Sequence, residues 1–262
     1  MSLFTNADVA AFRADRLASI ISTYFPSVTW SDAYLLQQIQ AAEKDVSRKL
    51  KVKLEPTAVF PYPPSDEEIA ALDGKPYLDE PGYDYDPEFF RAERWGYIVT
   101  RHKPIISVEE VRLAYPSPSQ TVYRIPDDWL RLDRKYGQIR MVPASSAFVA
   151  PLGAFIMQAL GGGHTIPSMI QVKYTVGLEN AVTEWPDLID VIMKSAVLRL
   201  IKGGFFPGSE SISADGLTQS RTVKIEDFEK PIEEALFGPK GSNGGLWTAI
   251  HGIPMGIVGV VV

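Results

Sequence analysis

Residues 186–202, PDLIDVIMKSAVLRLIK, form the stretch that decides the fold. Pro186 suits the first position of a helix and Gly203 suits the end of one. The apolar side chains between them cover nearly all faces of the predicted helix: Leu188, Ile189, Val191, Ile192, Met193, Ala196, Val197, Leu198, Leu200 and Ile201. A helix that is apolar all round is covered on most sides, either in a core or between subunits.

A turn-rich segment, residues 203–222, follows this helix. Asp215-Gly216 within it predicts a tight turn. A final helix is predicted by apolar residues at helical spacing, namely Ile225, Phe228, Ile232 and Leu236. We expect Pro231 to break or restart this helix and Gly238 to end it.

The last segment is an apolar tail behind a glycine hinge. GPKGSNGG (238–245) has the composition of a flexible linker. Residues 246–262 carry no charged side chain, and they are too short and too rich in Gly and Pro for a membrane helix. Because the linker gives it reach, this strand-forming tail is predicted to insert into a neighbouring subunit or partner; the alternative is a tail that is disordered or docked on its own domain. The predicted docking residues are Leu246, Trp247, Ile250, Ile253, Met255, Ile257, Val258, Val260 and Val262.

Two further helices are predicted in the N-terminal part. Residues 31–50 place Leu35, Ile39, Ala42, Val46 and Leu50 on one face, opposite Gln37, Gln38, Glu43, Lys44 and Arg48. Residues 5–25 begin with Thr5 and Asp8 at capping-box spacing and end before Pro26. The residues predicted to pack between subunits are Leu35, Ile39, Val46, Ile192, Ala196 and Leu200.

The middle of the chain predicts strands after a long loop. Residues 65–94 contain ten acidic and three basic side chains, so 55–95 is predicted as a surface loop with one helical turn at 66–72. Five strands of a small antiparallel sheet are predicted at Tyr97–Thr100, Val108–Leu113, Thr121–Ile125, Gln138–Val142 and Met169–Val176. Residues 127–132 predict a helical turn, and 147–163 predict either a short helix or a flexible hairpin.

Composition excludes several classes of protein. The chain has no cysteine, so disulfide scaffolds, thiolate nucleophiles and cysteine-bound metals are excluded. The first residues, MSLFTNADVAAF, lack a signal-peptide pattern, and we expect a protein made in the cytoplasm. The net charge is −6 and no basic stripe stands out, so tight phosphate binding is not indicated.

The sequence shows no catalytic motif. His102, His164 and His251 have no metal-ligand spacing, and no nucleophile motif is present. One enzyme hypothesis remains, a polysaccharide hydrolase that uses the acidic, tyrosine-rich stretch with Asp79, Glu80, Asp84 and Asp86. Glycoside hydrolysis needs two carboxylates on rigid elements, and a loop broken by Pro and Gly gives no sign of them. We expect no enzyme, no cofactor and no metal.

Two segments together resemble the head–tail connector (adaptor) family of tailed phages. They are WSDAYLLQQIQAAEKDVSRKLKV (30–52) and WPDLIDVIMKSAVLRLIKGGFFPGSESISADGLTQSR (185–221). The resemblance covers about 30–54 and 169–236. Its connector-type loop consists of Ser211, Ser213, Asp215, Gly216 and Ser220. The chain departs from small family members by an extra N-terminal helix, a large insertion at 55–168 and the apolar tail.

The resemblance implies an α+β fold, a helical bundle of the connector type with a large β-rich insertion and an extended C-terminal tail. The implied divisions are 1–54 (N-terminal helices), 55–95 (loop insertion), 96–178 (β-rich domain), 179–238 (C-terminal helices) and 239–262 (linker and docking tail). It also implies a homo-oligomeric ring, commonly of twelve copies, in the virion neck, assembled in the host cytoplasm. The ring binds the portal protein and a tail-completion or other neck protein, and genomic DNA passes through it without sequence-specific binding.

Three other functions stay open at the level of sequence. The chain can be a different neck, tail-completion or baseplate protein of the same particle. It can be the hydrolase described above. A single-stranded DNA-binding protein is a further alternative, although the acidic balance argues against it.

Overall fold

The computed structural model describes residues 2–18, 29–86, 97–116, 119–142, 165–203, 210–214, 217–221, 225–240 and 244–252. They fall into two compact units. The sheet unit is Val52–Glu179, and the helical unit combines Ser2–Lys51 with the described part of Asn180–Val262. The predicted α+β class is therefore observed. The sheet unit contains both the predicted loop insertion and the predicted β-rich domain.

The elements are numbered in chain order. The helices are α1 (Asn6–Phe12), α2 (Asp32–Leu50), α3 (Asp66–Ala71), α4 (Ala181–Glu184), α5 (Pro186–Gly203), α6 (Glu226–Phe237) and α7 (Gly245–His251). The strands are β1 (Thr57–Phe60), β2 (Tyr77–Asp79), β3 (Tyr83–Tyr85), β4 (Tyr97–Val99), β5 (Ile105–Pro116), β6 (Ser119–Arg124), β7 (Leu130–Asp133), β8 (Gln138–Met141), β9 (Ile166–Val176), β10 (Glu210–Ala214) and β11 (Leu217–Arg221). A π-helical turn, Arg13–Leu17, continues α1, and a 3-10 turn, Asp127–Trp129, precedes β7.

The core of the helical unit lies between α2 and α5. Both helices bury the apolar faces that their spacing predicts; those of α5 are Leu188, Val191, Ile192, Ala196, Val197, Leu200 and Ile201. The side chain of Ser31 accepts a hydrogen bond from the Tyr34 N–H and caps the start of α2. At the surface of the same contact, Arg199 Nη1 lies 2.6 Å from Asp45 Oδ2.

The sheet unit is built around β9, an eleven-residue strand. The main sheet has the order β2-β1-β9-β5-β6, and β3 also pairs with β9. The β1–β2 pair is parallel, and the other pairs of this sheet are antiparallel. A second, antiparallel sheet has the order β4-β8-β7. Buried residues from both sheets form the core of the unit: Val59, Ile98, Ile105, Val111, Ile125, Ile139, Ile170, Val172, Tyr174 and Val176.

The predicted loop insertion differs from the observed structure. Residues 55–95 contain the predicted helical turn, now α3, but also three strands that join the main sheet. These strands have only three or four residues each, which is too short for periodicity to separate them from a loop. The five predicted strands pair antiparallel, as predicted, but they lie in two sheets, because β4 and β8 form the second one. The main sheet also contains a parallel pair that was not predicted, β1–β2.

Three other predictions need correction. The turn-rich segment 203–222 contains a hairpin, β10–β11. Helix α6 is continuous through Pro231. Glu43, predicted on the polar face of α2, is buried, and its carboxylate accepts hydrogen bonds from the Ser2 hydroxyl and, at 3.1 Å, the Leu3 N–H. The predictions for 147–163 and for the helix end near Pro26 lie outside the described residues.

Candidate functional site

The described part of the apolar tail is a helix and not a strand. In α7 the side chains of Leu246 and Ile250 are 7% and 3% exposed. Trp247 lies 6.2 Å, centroid to centroid, from the ring of Phe237 in α6. The described part of the tail, as far as Gly252, is therefore covered by its own chain. The sequence predicts instead that Leu246 and Ile250 dock on the portal or a partner. The predicted docking residues from Ile253 to Val262 lie outside the described residues.

His251 attaches the end of α7 to the end of α2. Its Nε2 lies 2.6 Å from the carbonyl oxygen of Leu50, and since a carbonyl only accepts, Nε2 donates. The last carbonyls of a helix have no partner within the helix. His251 supplies one for Leu50, while Lys51 ends α2 in the left-handed conformation at φ 52°.

The residues predicted to pack between subunits lie inside one chain. Leu35, Ile39, Val46, Ile192, Ala196 and Leu200 are each at most 2% exposed. They fill the α2–α5 contact, which leaves them no surface for a neighbouring copy. Among the described residues of the helical unit, the large apolar side chains that remain exposed are Tyr34, Val182 and Phe237.

The connector-type loop residues fall on and between two strands. Ser211 and Ser213 lie in β10, and Ser220 lies in β11. Ser211 pairs with Ser220, and Ala214 pairs with Leu217. Asp215 and Gly216, the predicted turn, come between the paired residues in sequence and lie outside the described residues.

A groove of about 300 Å³ lies on the helical unit between the π-helical turn, α5 and α6. Its apolar lining comes from Val197, Phe228, Pro231 and Ile232. Its rim is charged, with Asp15, Arg16, Lys194 and Asp227. Arg16 and Lys194 both lie within 2.7 Å of Asp190, and these cations hold the pKa of Asp190 below its usual value.

A buried carboxylate, Glu80, organises polar side chains in the sheet unit. The hydroxyl of Tyr83 donates to Oε1 at 2.6 Å, and that of Tyr174 donates at 3.1 Å. Arg101 Nη1 lies 3.2 Å from Oε1, and His102 Nε2 lies 3.5 Å from Oε2. The guanidinium of Arg101 also stacks on the Tyr83 ring at 4.4 Å and donates to the Pro81 and Gly82 carbonyls. Both carboxylate oxygens are thus engaged.

The environment of Glu80 shifts the pKa of its neighbours. Burial raises the pKa of Tyr83 to about 12, and the hydrogen bond to Glu80 adds to this shift. Burial also raises the pKa of Tyr174 far above its ordinary value. Burial lowers the pKa of His102, although the Glu80 carboxylate opposes the change. Both tyrosines therefore stay protonated at neutral pH and act as donors.

This geometry does not favour the hydrolase hypothesis. Glu80 is 5% exposed and its oxygens already have protein donors, so a sugar cannot reach it. Asp84 accepts a hydrogen bond from the Ser168 N–H at 2.9 Å, which attaches it to the sheet. Within the described residues no group of three His, Asp or Glu side chains is placed to hold a metal ion. Nor is any described helix long and apolar enough to cross a membrane.

Sequence reasoning found Glu80 but missed its partners. Tyr174 and Arg101 are remote from Glu80 in sequence. Tyr174 meets it because β9 pairs with β3, and Arg101 is held there by hydrogen bonds to Pro81, Gly82 and Tyr83. The only signal in the sequence was an acidic residue beside Pro81 and Gly82, and that pattern is also typical of an exposed turn.

Comparisons with known proteins find likenesses among solved structures, including two chains of gene transfer agent particles. No protein-family model matches the chain, and a search of curated proteins finds no match. A chain in the neck of an empty gene transfer agent particle, computed with C6 symmetry, aligns with a TM-score of 0.39 and 14% identity over 82% of this chain and 87% of that one. A chain in the virion of a native gene transfer agent particle aligns with a TM-score of 0.41 and 15% identity over 88% and 93%. Similarity this low leaves function to be argued from the chain's own residues.

Proposed function

We propose that this chain is a structural protein of a tailed-phage-like particle, a subunit of the ring that joins the portal to the tail. The observation that carries the proposal is that the two connector-like segments fold together. The whole sheet unit, Val52–Glu179, separates them in sequence. In space α2 and α5 share one core, and Arg199 pairs with Asp45 beside it.

The order of the two units along the chain supports the same proposal. The sequence of the sheet unit lies between α2 and α4 of the helical unit, as an insertion into a connector core does. The hairpin β10–β11 then connects α5 to α6 at the position of the connector-type loop. In the proposed assembly, commonly of twelve copies, the helical units form the ring, and DNA passes through its centre in the virion neck.

The surfaces proposed to meet neighbouring copies differ from those predicted by sequence. Tyr34, Val182 and Phe237 are 37%, 55% and 45% exposed. Because large exposed apolar side chains gain most from burial in an interface, these three are the proposed contacts between copies. The tail beyond Gly252, with Ile253, Met255, Ile257, Val258, Val260 and Val262, is the proposed docking segment for the portal or a neighbour.

Binding to the portal protein of the same particle tests the proposal. The full chain is expected to form a complex with the portal ring that size-exclusion chromatography with light scattering resolves. A chain that ends at Gly252 keeps α7 and is expected to fold normally but to lose most of this binding. Equal binding by the two chains would contradict the role of the tail. Absence of binding by the full chain to the portal and to other virion components would contradict the function itself.

A further inference from the structure

Loops at one end of the sheet unit bring together cationic side chains that are far apart in sequence. The β4–β5 connection carries Arg101 and Lys103, and the β7–β8 turn carries Arg134 and Lys135. Lys53 lies just before β1. These five residues are called the basic patch below. The sequence shows no basic stripe because no two of these three segments are adjacent in it.

Backbone hydrogen bonds hold two of the loops side by side. The Thr100 N–H donates to the Gly137 carbonyl at 2.8 Å, and the Ile105 N–H donates to the Arg134 carbonyl at 2.9 Å. The loops are so close that a Cβ atom on Gly137 would lie 3.2 Å from Lys103 Cβ. The cations of both loops therefore share one surface.

Lys53 is attached to the same surface through the end of β9. Its carbonyl accepts a hydrogen bond from the Leu178 N–H at 3.0 Å, and the neighbouring Gly177 N–H donates to Pro104 at 3.1 Å. Its charge also reaches the β4–β5 loop, where it helps to hold the pKa of His102 low.

Most of the positive charge of the basic patch is not compensated. Within the part of the chain that the structure describes, Lys53, Lys103, Arg134 and Lys135 have no carboxylate oxygen within 4.0 Å. Arg101 pairs with Glu80, which is buried beneath it. Arg134 and Lys135 are exposed, and Lys53 and Lys103 are half-buried. On a chain of net charge −6, such a cluster is a local attractor for anions.

We propose that the basic patch binds the phosphate backbone of double-stranded DNA. A row of Lys and Arg side chains on loops contacts phosphates and does not by itself read bases, so the binding is independent of sequence and sensitive to salt. The acidic remainder of the surface repels DNA and so orients the duplex on the patch. This inference rests on the proposed function, since it assigns the basic patch of the sheet unit to contact with the DNA that passes the ring.

Fluorescence anisotropy with a short DNA duplex over a series of salt concentrations tests this proposal on the full chain. The logarithm of the binding constant is expected to fall against the logarithm of salt concentration with a slope of roughly −3 to −4, because each neutralised phosphate contributes about −0.9. The double variant Lys103→Glu/Arg134→Glu is expected to weaken binding at least about tenfold and to flatten the slope by about two.

The matched control is Lys44→Glu/Lys75→Glu, which changes net charge equally at two exposed cations elsewhere. It is expected to keep the wild-type slope. The proposal is overturned if the control weakens binding equally or if the full chain does not bind DNA at low salt. It is also overturned if the double variant changes self-association without changing DNA binding, which would identify an acidic protein surface as the partner. A chain that joins the portal but does not bind DNA refutes this inference alone, whereas failure to join the portal refutes the proposed function.

Discussion

At the scale of the residue, Glu80 is the most constrained polar group of the sheet unit. Its carboxylate accepts hydrogen bonds from Tyr83 and Tyr174 and pairs with Arg101. A buried polar group stabilises the fold only while all its hydrogen-bond partners are present. If a partner is removed, the free-energy cost of taking the group out of water is no longer offset. The network therefore connects β2, β3 and β9 in a way that one substitution disturbs.

Glu80→Gln is expected to destabilise the sheet unit by about 1–3 kcal/mol. The glutamine side chain has the same shape as glutamate but lacks the negative charge that pairs with Arg101. Its NH₂ group is also a hydrogen-bond donor at a position where a carboxylate oxygen now accepts. Urea denaturation followed by tyrosine fluorescence measures the free energy of unfolding. Asp79→Asn makes the same chemical change at an exposed neighbour and is expected to have no measurable effect. Equal stability of the two variants would contradict this account of Glu80.

The raised pKa of Tyr83 predicts a loss of stability at alkaline pH. Below pH 10, the ordinary tyrosine value, both folded and unfolded chains keep the proton and the stabilisation is complete. From pH 10 to about 12 the tyrosine loses its proton in the unfolded chain but keeps it in the folded chain, so the free energy of unfolding falls. Denaturation across this range is expected to show a weaker pH dependence for Tyr83→Phe than for the wild type. Tyr77→Phe, at an exposed position, is the control and is expected to keep the wild-type dependence.

Two glycines predict opposite responses to alanine. Gly137 has φ +70°, and a Cβ atom there would lie 2.6 Å from Thr100 Oγ1. Gly137→Ala is therefore expected to cost about 1–3 kcal/mol. Gly203 lies at the end of α5, where a Cβ atom would meet only the Tyr34 hydroxyl at 3.8 Å, so Gly203→Ala is expected to be neutral or stabilising. Thermal unfolding distinguishes the two, and a loss of stability in both variants would contradict the steric argument.

At the scale of the element, the sequence predicts the long helices α2 and α5 and the strands β4 and β8, but it does not predict the short strands β2 and β3. The periodic apolar residues of α2 and α5 define their faces, and Ser31 marks the start of α2. Strands β2 and β3 have three residues each, so no period exists to detect, and they form because β1 and β9 supply edges to pair with. Hydrogen bonds between distant segments decide such strands, and a local pattern does not contain them.

In the candidate sites, too, local patterns can be read from the sequence, whereas contacts between distant segments cannot. The apolar spacing identifies the buried residues of α2 and α5, but it does not indicate whether the same chain or a neighbouring copy packs against them. In the structure these residues are buried within one chain. The basic patch and the partners of Glu80 depend on which loops lie close together in space. A single sequence does not contain that information.

The helix α7 predicts different effects for two truncations. A chain that ends at Gly238 loses the buried side chains of Leu246 and Ile250 and the hydrogen bond from His251 to Leu50. We expect this to destabilise the helical unit by about 3–6 kcal/mol. A chain that ends at Gly252 keeps these contacts and is expected to unfold at the wild-type temperature in calorimetry. Equal unfolding temperatures for the two truncated chains would show that α7 does not stabilise the unit.

At the scale of the whole molecule, the chain combines a helical unit made from both ends of the sequence with a sheet unit inserted between them. In the described residues the helical unit covers its own core, and the large apolar side chains of this unit that stay exposed among them are Tyr34, Val182 and Phe237. In the proposed assembly these side chains and the apolar segment 253–262 make the contacts. In the proposed ring each copy contacts the next through heterologous surfaces, and their geometry must close to avoid open filaments.

Cryo-electron microscopy of the purified full chain mixed with the portal ring of the same particle tests the central claim most directly. We expect a second ring of this chain stacked on the portal, with helical units in contact and an axial channel wide enough for a DNA duplex. Particles that show the bare portal ring, with this chain remaining in solution as single copies, would contradict it.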